Sequence, residues 1–196
     1  MLAAIAFAAA LVVPTIAAGA PSATGANAFK AGVFDPPRAA PEIALPASTG
    51  QPFTLSSLRG KVVVLEFGYT HCGDVCPVSL AALASARKQL GADADYVQVL
   101  FVTVDPARDT PALLRTYLAN FDPSFIGVSG SEAQIAALLK SYGISATKRM
   151  IAGGSDYTMH HSSYLYFIDR QGRQRALMPF GRPAADIAHD LRLLLH

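Results

Sequence analysis

KVVVLEFGYTHCGDVCPVSLAALASARKQL, residues 61–90, changes character at its midpoint. Residues 61–67, KVVVLEF, form a nearly unbroken β-branched run, the pattern of a strand covered on both faces in the middle of a largely parallel sheet. From Pro77 onward, VSLAALASARKQL has helical formers and apolar residues at helical spacing, and proline suits a helix's first turn. Between them lie Cys72 and Cys76, the only two cysteines of the chain. A cysteine pair where a central strand meets its helix sits at a helix N-terminus, whose dipole stabilises negative charge and lowers thiol pKa.

The pattern extends in both directions. YVQVLFVTVD (96–105) reads as a second buried strand, and DTPALLRTYLANF (109–121) as a helix capped by Asp109 or Thr110 with Pro111 at its first position. SFIGVSG (124–130) is a short strand, and SEAQIAALLKSYG (131–143) a helix with Ser131 as N-cap and Gly143 as C-cap. SYLYFIDRQGRQRALM (163–178) reads as two strands around a turn at Gln171-Gly172, and PAADIAHDLRLLL (183–195) closes the chain as a helix. Upstream, STGQPFTLSSLRG (48–60) suggests an N-terminal β-hairpin. The order β-α-β-α-β-α-β-β-α implies parallel crossovers at the front and an antiparallel pair at the end. The expected fold class is therefore α/β: a thioredoxin-like mixed sheet flanked by helices, with an N-terminal β-hairpin extension.

Residues 1–29 contain no charged side chain, and Lys30 is the first. This stretch is expected to be an export signal or a membrane anchor, either of which places the rest outside the cytoplasm. Residues 30–44, with FDPPRAAPE, read as a linker, and 45–196 as the folded domain. A net charge of +2, with no Lys/Arg run longer than Arg87-Lys88 or Lys148-Arg149, gives no reason to expect nucleic-acid binding.

Two cysteines in an exported protein ordinarily imply one structural disulfide, but this one would close a loop too small to constrain the unfolded chain much. On a regular helix, positions i and i+4 share a face with Cβ atoms about 5–6 Å apart, whereas a disulfide wants about 3.8 Å. The spacing thus favours two thiolates gripping a soft ion such as Cu(I), with a further ligand from elsewhere; unwinding at Gly73 would still permit the disulfide. Of the five histidines, His189 and His196 belong to the last helix and chain end, and His71 points away from the Cys72/Cys76 face. His160 and His161 are consecutive, so on a strand only one can face the site, and spacing does not choose between them. Asp105, Arg108 and Asp109 in DPARDTP end a central strand at the sheet edge where α/β sites gather. Asp74 suits a helix start. Glu66, a carboxylate in the central strand, is a candidate proton relay for the thiols. Met150, Met159 and Met178 are soft donors more often used to fill cores.

GYTHCGDVCP (68–77), VTVDPARDTP (102–111) and HHSSYLYFIDRQG (160–172) resemble the three signatures of the Sco/SenC copper-chaperone family: G-Y-T-x-C-P-D-x-C-P, D-P-x-R-D-T and D-H-[ST]-x-x-x-Y-L-x-D-x-x-G. The resemblance covers about residues 45–195. It implies a thioredoxin-like domain with an N-terminal membrane anchor, and copper, as Cu(I) or Cu(II), held by Cys72, Cys76 and His161. The implied partner is the CuA site of cytochrome c oxidase subunit II or another exported copper or thiol protein, on the periplasmic side of the inner membrane. Gly73 stands where the family often has proline, His160 where aspartate precedes the ligand, and YFID where the pattern has YLxD. None of these removes a ligand. The competing reading makes Cys72 and Cys76 the redox pair of a thiol–disulfide oxidoreductase acting on exported partner proteins. A thiol peroxidase fits less well, because Tyr69 stands where that chemistry expects Thr or Ser.

Overall fold

The computed structural model describes residues 28–196; the export segment expected over 1–29 lies almost entirely outside them. Its strands are β1 (Gly32–Ala39), β2 (Ala44–Pro46), β3 (Pro52–Thr54), β4 (Val62–Gly68), β5 (Val97–Thr103), β6 (Ile126–Val128), β7 (Ala146–Met150), β8 (Tyr157–His161), β9 (Tyr164–Ile168) and β10 (Arg173–Pro179). The helices are α1 (Val75–Leu90), α2 (Pro111–Ala119), α3 (Glu132–Tyr142) and α4 (Ala184–Leu195).

Six strands form one sheet in the order β1-β10-β9-β4-β5-β6. β4–β5 and β5–β6 are parallel, while β9 joins β4, and β10 joins β9, antiparallel, as the order of sequence patterns implies. Every residue of β4 and β5 is buried, because both faces are covered. Val62, Val64, Val99 and Phe101 pack with α1, α2 and α4; Val63, Leu65, Phe67 and Leu100 pack with α3 and the β2–β3 hairpin on the other face. The pleat sends alternate side chains to opposite layers, so Glu66 lies on the α1/α4 face. The caps follow the sequence: Thr110 accepts from Leu113 N, Ser131 makes a reciprocal capping box with Gln134, and Gly143 ends α3 in the left-handed region.

Two stretches differ from the sequence reading. The expected linker, 30–44, contains β1, which pairs antiparallel with β10 at the edge of the main sheet. Pro36 and Pro37 sit where its register shifts, between Val33 and Arg38. Proline is tolerated on an edge strand, which needs ladder donors on one side only. The strand is almost wholly exposed and so carries no apolar alternation. The second is β7–β8, an antiparallel hairpin forming a separate two-stranded sheet. Among the described residues, no helix is long and apolar enough to cross a membrane.

Candidate metal and thiol site

β4 delivers the chain to the site, and Gly68 ends it. A Cβ there would lie 2.7 Å from the Phe101 ring and 3.0 Å from Cys76 Sγ, so glycine lets the buried thiol pack against the strand. Helix α1 begins only at Val75, with Asp74 as N-cap. Cys72 therefore lies in the preceding turn, and the two cysteines do not share a helical face as their spacing suggests. Gly73 and Asp74 break the regular winding, and the Cys72 side chain folds back onto the helix end. Its Sγ accepts the N–H of Cys76 at 3.4 Å, one of the orphan donors of α1. No disulfide joins the two cysteines.

Their protons are unequally held. A hydrogen bond from the Cys76 thiol, with the backbone N–H groups of Cys76 and Asp74 and nearby His161, brings the half-buried Cys72 down to about 5, against desolvation. Cys76, fully buried, is pushed far up by that same bond and by burial. The pair thus holds a thiolate at Cys72 and a thiol at Cys76.

His161 completes the arrangement. β8 pairs it with Ala146 of β7, and Thr147 with His160. Its Nε2 lies 3.9 Å from Cys76 Sγ, while Nδ1 lies 3.0 Å from the Ser162 carbonyl oxygen. A carbonyl only accepts, so Nδ1 carries a proton, and in the neutral imidazole the Nε2 lone pair faces the sulfur. The ring stands edge-on to Tyr69, whose hydroxyl bonds Thr158 Oγ1 at 2.8 Å. His160, next along the strand, is exposed. The alternation that leaves the choice open thus brings His161, not His160, to the thiols. Both histidines, with Cys72, Asp74 and Met159, line an open cleft above the site. As they stand, no three His, Cys, Asp or Glu side chains among the described residues form a closed cluster for one ion; their contacts are pairwise.

The remaining candidates separate clearly. His71 is exposed, its Nδ1 against Thr70 Oγ1. His189 and His196 lie against Asp190 and Asp93. Met178 fills the core and Met150 is exposed. Glu66 is buried beneath the site with Oε2 unpartnered. Burial pushes its carboxyl up to about 8 against a hydrogen bond from Ser79, and the charge on Cys72 adds to the rise. It lines a cavity of about 10 Å³ with Ser79, His161 and Ser163, room for the centre of one water molecule. The sequence assigns no site role to Tyr69 and Thr70, although both are fixed positions of the first signature, and none to Tyr157 and Thr158, which lie outside the three signatures; their hydroxyls tie the two site segments to each other and to the loop 105–110.

A mixed sheet with a cysteine pair between its central strand and first helix defines a thioredoxin-like thiol protein, here with a histidine brought over the buried thiol. The SCO1/SenC family model matches residues 35–196, and the chain belongs to that family. Among solved structures, copper-bound ScoI of Bradyrhizobium japonicum superimposes with a TM-score of 0.73 at 40% identity, covering 80% of this chain and 99% of that one. Copper-bound yeast Sco1 gives 0.71 at 30% identity over 80% of this chain and 87% of that one. A mitochondrial SCO2 protein of Saccharomyces cerevisiae is 39% identical over 127 residues, 63% of this chain but 42% of the yeast protein. The chain thus spans less than half the length of that relative.

Proposed function

We propose that this protein is a copper metallochaperone that binds one copper ion through Cys72, Cys76 and His161 and hands it to an exported acceptor. What carries the reading is the approach of the His161 Nε2 lone pair to Cys76 Sγ at 3.9 Å, next to a Cys72 held as thiolate. Two sulfurs and one imidazole are the soft and borderline donors that copper favours. Binding would displace the Cys76 proton, so metal loading releases protons and is pH-dependent. Two of the related structures are Sco proteins with copper bound, which supports the choice of ion. The acceptor we propose is the CuA site of cytochrome c oxidase subunit II, reached on the periplasmic side of the membrane with residues 1–29 as anchor or cleaved signal.

A second reading rests on the depressed pKa of Cys72. A thiolate beside a buried thiol can attack a partner disulfide, forming a mixed disulfide. Cys76 then closes the Cys72–Cys76 bond, and the partner leaves as a dithiol. Both electrons come from the pair, and the oxidised form no longer binds copper.

The test is titration of the reduced protein with Cu(I) and with Cu(II) against a competing chelator, repeated for His161→Ala and His160→Ala. One ion per chain is expected. Affinity should fall more than about tenfold for His161→Ala and little for His160→Ala. Unchanged affinity and spectrum in His161→Ala would remove that residue from the site.

A further inference from the structure

The loop 105–110, DPARDT, supplies none of the proposed ligands, yet its side chains bond to both segments that do. On the cysteine side, Asp109 is fully buried and accepts three hydrogen bonds: from Thr70 N at 3.0 Å, Thr70 Oγ1 at 2.5 Å and Thr103 Oγ1 at 2.7 Å. Thr70 is two residues before Cys72, so the loop fixes the turn that carries the exposed thiol.

On the histidine side the agent is Arg108. Its Nε bonds Asp105 Oδ2 at 2.5 Å, and Nη1 reaches the Tyr157 carbonyl and Asp156 Oδ1, each at 3.0 Å. The Tyr157 hydroxyl donates back to Asp105 Oδ1 at 2.8 Å. The guanidinium carbon lies 3.7 Å from the Tyr157 ring centre, with Lys148 Nζ at 3.6 Å from the same ring. Asp105 is buried and Asp156 exposed, so the anchor is Asp105 and the cargo is the hairpin.

That hairpin needs an anchor. β7–β8 pairs with no strand of the main sheet, and β7 is exposed along nearly all its length. A two-stranded hairpin on its own is marginal in water. His161 ends β8, four residues beyond Tyr157. We propose that Arg108 is the positioning residue for His161, clamping the β7–β8 hairpin to Asp105 so that the imidazole is held over the cysteine pair. The inference rests on the reading of His161 as a copper ligand. The guanidinium fork is what allows one side chain to grip a carboxylate and a backbone carbonyl together, which a lysine ammonium cannot reproduce.

The experiment is a double-mutant cycle on the full chain with Arg108→Lys and His161→Ala, and Tyr157→Phe as a milder third variant. Copper affinity is read by chelator competition and hairpin order by amide hydrogen exchange of the reduced, metal-free protein. Arg108→Lys should speed exchange within 146–161 while β4 and β5 stay protected, and lower copper affinity about tenfold. In the His161→Ala background the same change should leave affinity where it is, because the effect acts through the imidazole. Tyr157→Phe, which removes one hydrogen bond and keeps the ring, should shift both readouts in the same direction by less. An equal loss of affinity in both backgrounds would make Arg108 a general stabiliser, and unchanged exchange over 146–161 would remove the clamp; either overturns the proposal. If His161→Ala alone leaves copper affinity intact, the ligand reading fails, while the exchange data still report whether Arg108 orders the hairpin.

Discussion

Cys72 and Glu66 are shifted in opposite directions over overlapping pH ranges. Led by the hydrogen bond from Cys76, the surroundings of Cys72 lower it from 9.0 to about 5, so between those values the folded chain holds a thiolate where the unfolded chain holds a thiol. The unfolded state then binds more protons, and this group's contribution to stability rises with pH through the window and is lost as pH falls through about 5. Alkylation of the reduced protein by iodoacetamide should follow a single midpoint near pH 5, moving well up toward the ordinary thiol range in Cys76→Ala, which lacks the hydrogen bond; a midpoint near the ordinary thiol value in the parent protein would refute the assignment. Glu66 works the other way. Burial raises it from 4.5 to about 8, so the folded state keeps a proton that the unfolded chain has released, and stability falls as pH rises across that interval. Glu66→Gln keeps the shape and cannot ionise. Above pH 8 it should be more stable than the parent by a few kcal/mol, since each tenfold difference in proton affinity between the folded and unfolded chain is worth about 1.4 kcal/mol. Below pH 4.5 the two should be nearly equal. Urea midpoints at the two pH values decide this, and a difference independent of pH would mean that the carboxyl is not the strained group.

At the scale of elements, legibility follows burial. β4 and β5 are plain in the sequence because both faces are covered, which forces long apolar runs. Thr110, Ser131 and Gly143 are plain because capping chemistry is local. β1 and β7 are not, since strands that bury almost nothing are not constrained to alternate. The start of α1 escapes the pattern for a different reason. Helical spacing places Cys72 and Cys76 on one face only if helix runs through both, and Gly73-Asp74 break that winding before Val75. The outcome is chemically richer than the expected pair on one face. Cys72 is free to accept hydrogen bonds from the helix end, while Cys76, inside the first turn, is packed against Gly68. The choice between His160 and His161 lies beyond the sequence pattern because it depends on how the β7–β8 hairpin is seated, a tertiary matter in which the Arg108 contacts take part. The family resemblance names His161 where spacing does not.

Across the whole molecule, the segment expected as a linker is part of the fold, and its route has a consequence for stability. Gly32 pairs with Leu177, Leu177 with Tyr166, and Tyr166 with Leu65, so β1 begins level with the middle of β4. It then runs toward the sheet end where β4 starts, away from the cysteine loop, with Ala39 opposite Arg173. Just before it, the backbone N–H groups of Lys30 and Ala31 donate to the two carboxylate oxygens of Asp190 at 2.8 and 2.9 Å. Asp190 is fully buried on α4, where a carboxylate stripped of its donors is costly. The chain from Lys30 to Ala39 is therefore a strap that joins the last helix to the far edge of the sheet. A chain beginning at Ala40 loses the β1–β10 ladder and both donors to Asp190, each buried group left unsatisfied costing about 1–3 kcal/mol. Its urea midpoint should fall well below that of a chain beginning at Ala28, by several kcal/mol in total, and Asp190→Asn should cost the longer chain more than it costs the shorter one, in which the carboxylate has already lost its two backbone donors and keeps His189. Copper affinity measured under folding conditions should be nearly the same in both, because the hydrogen bonds of the strap run to α4 and β10 rather than to Cys72, Cys76 or His161. Equal midpoints for the two chains would return residues 30–44 to the status of a linker.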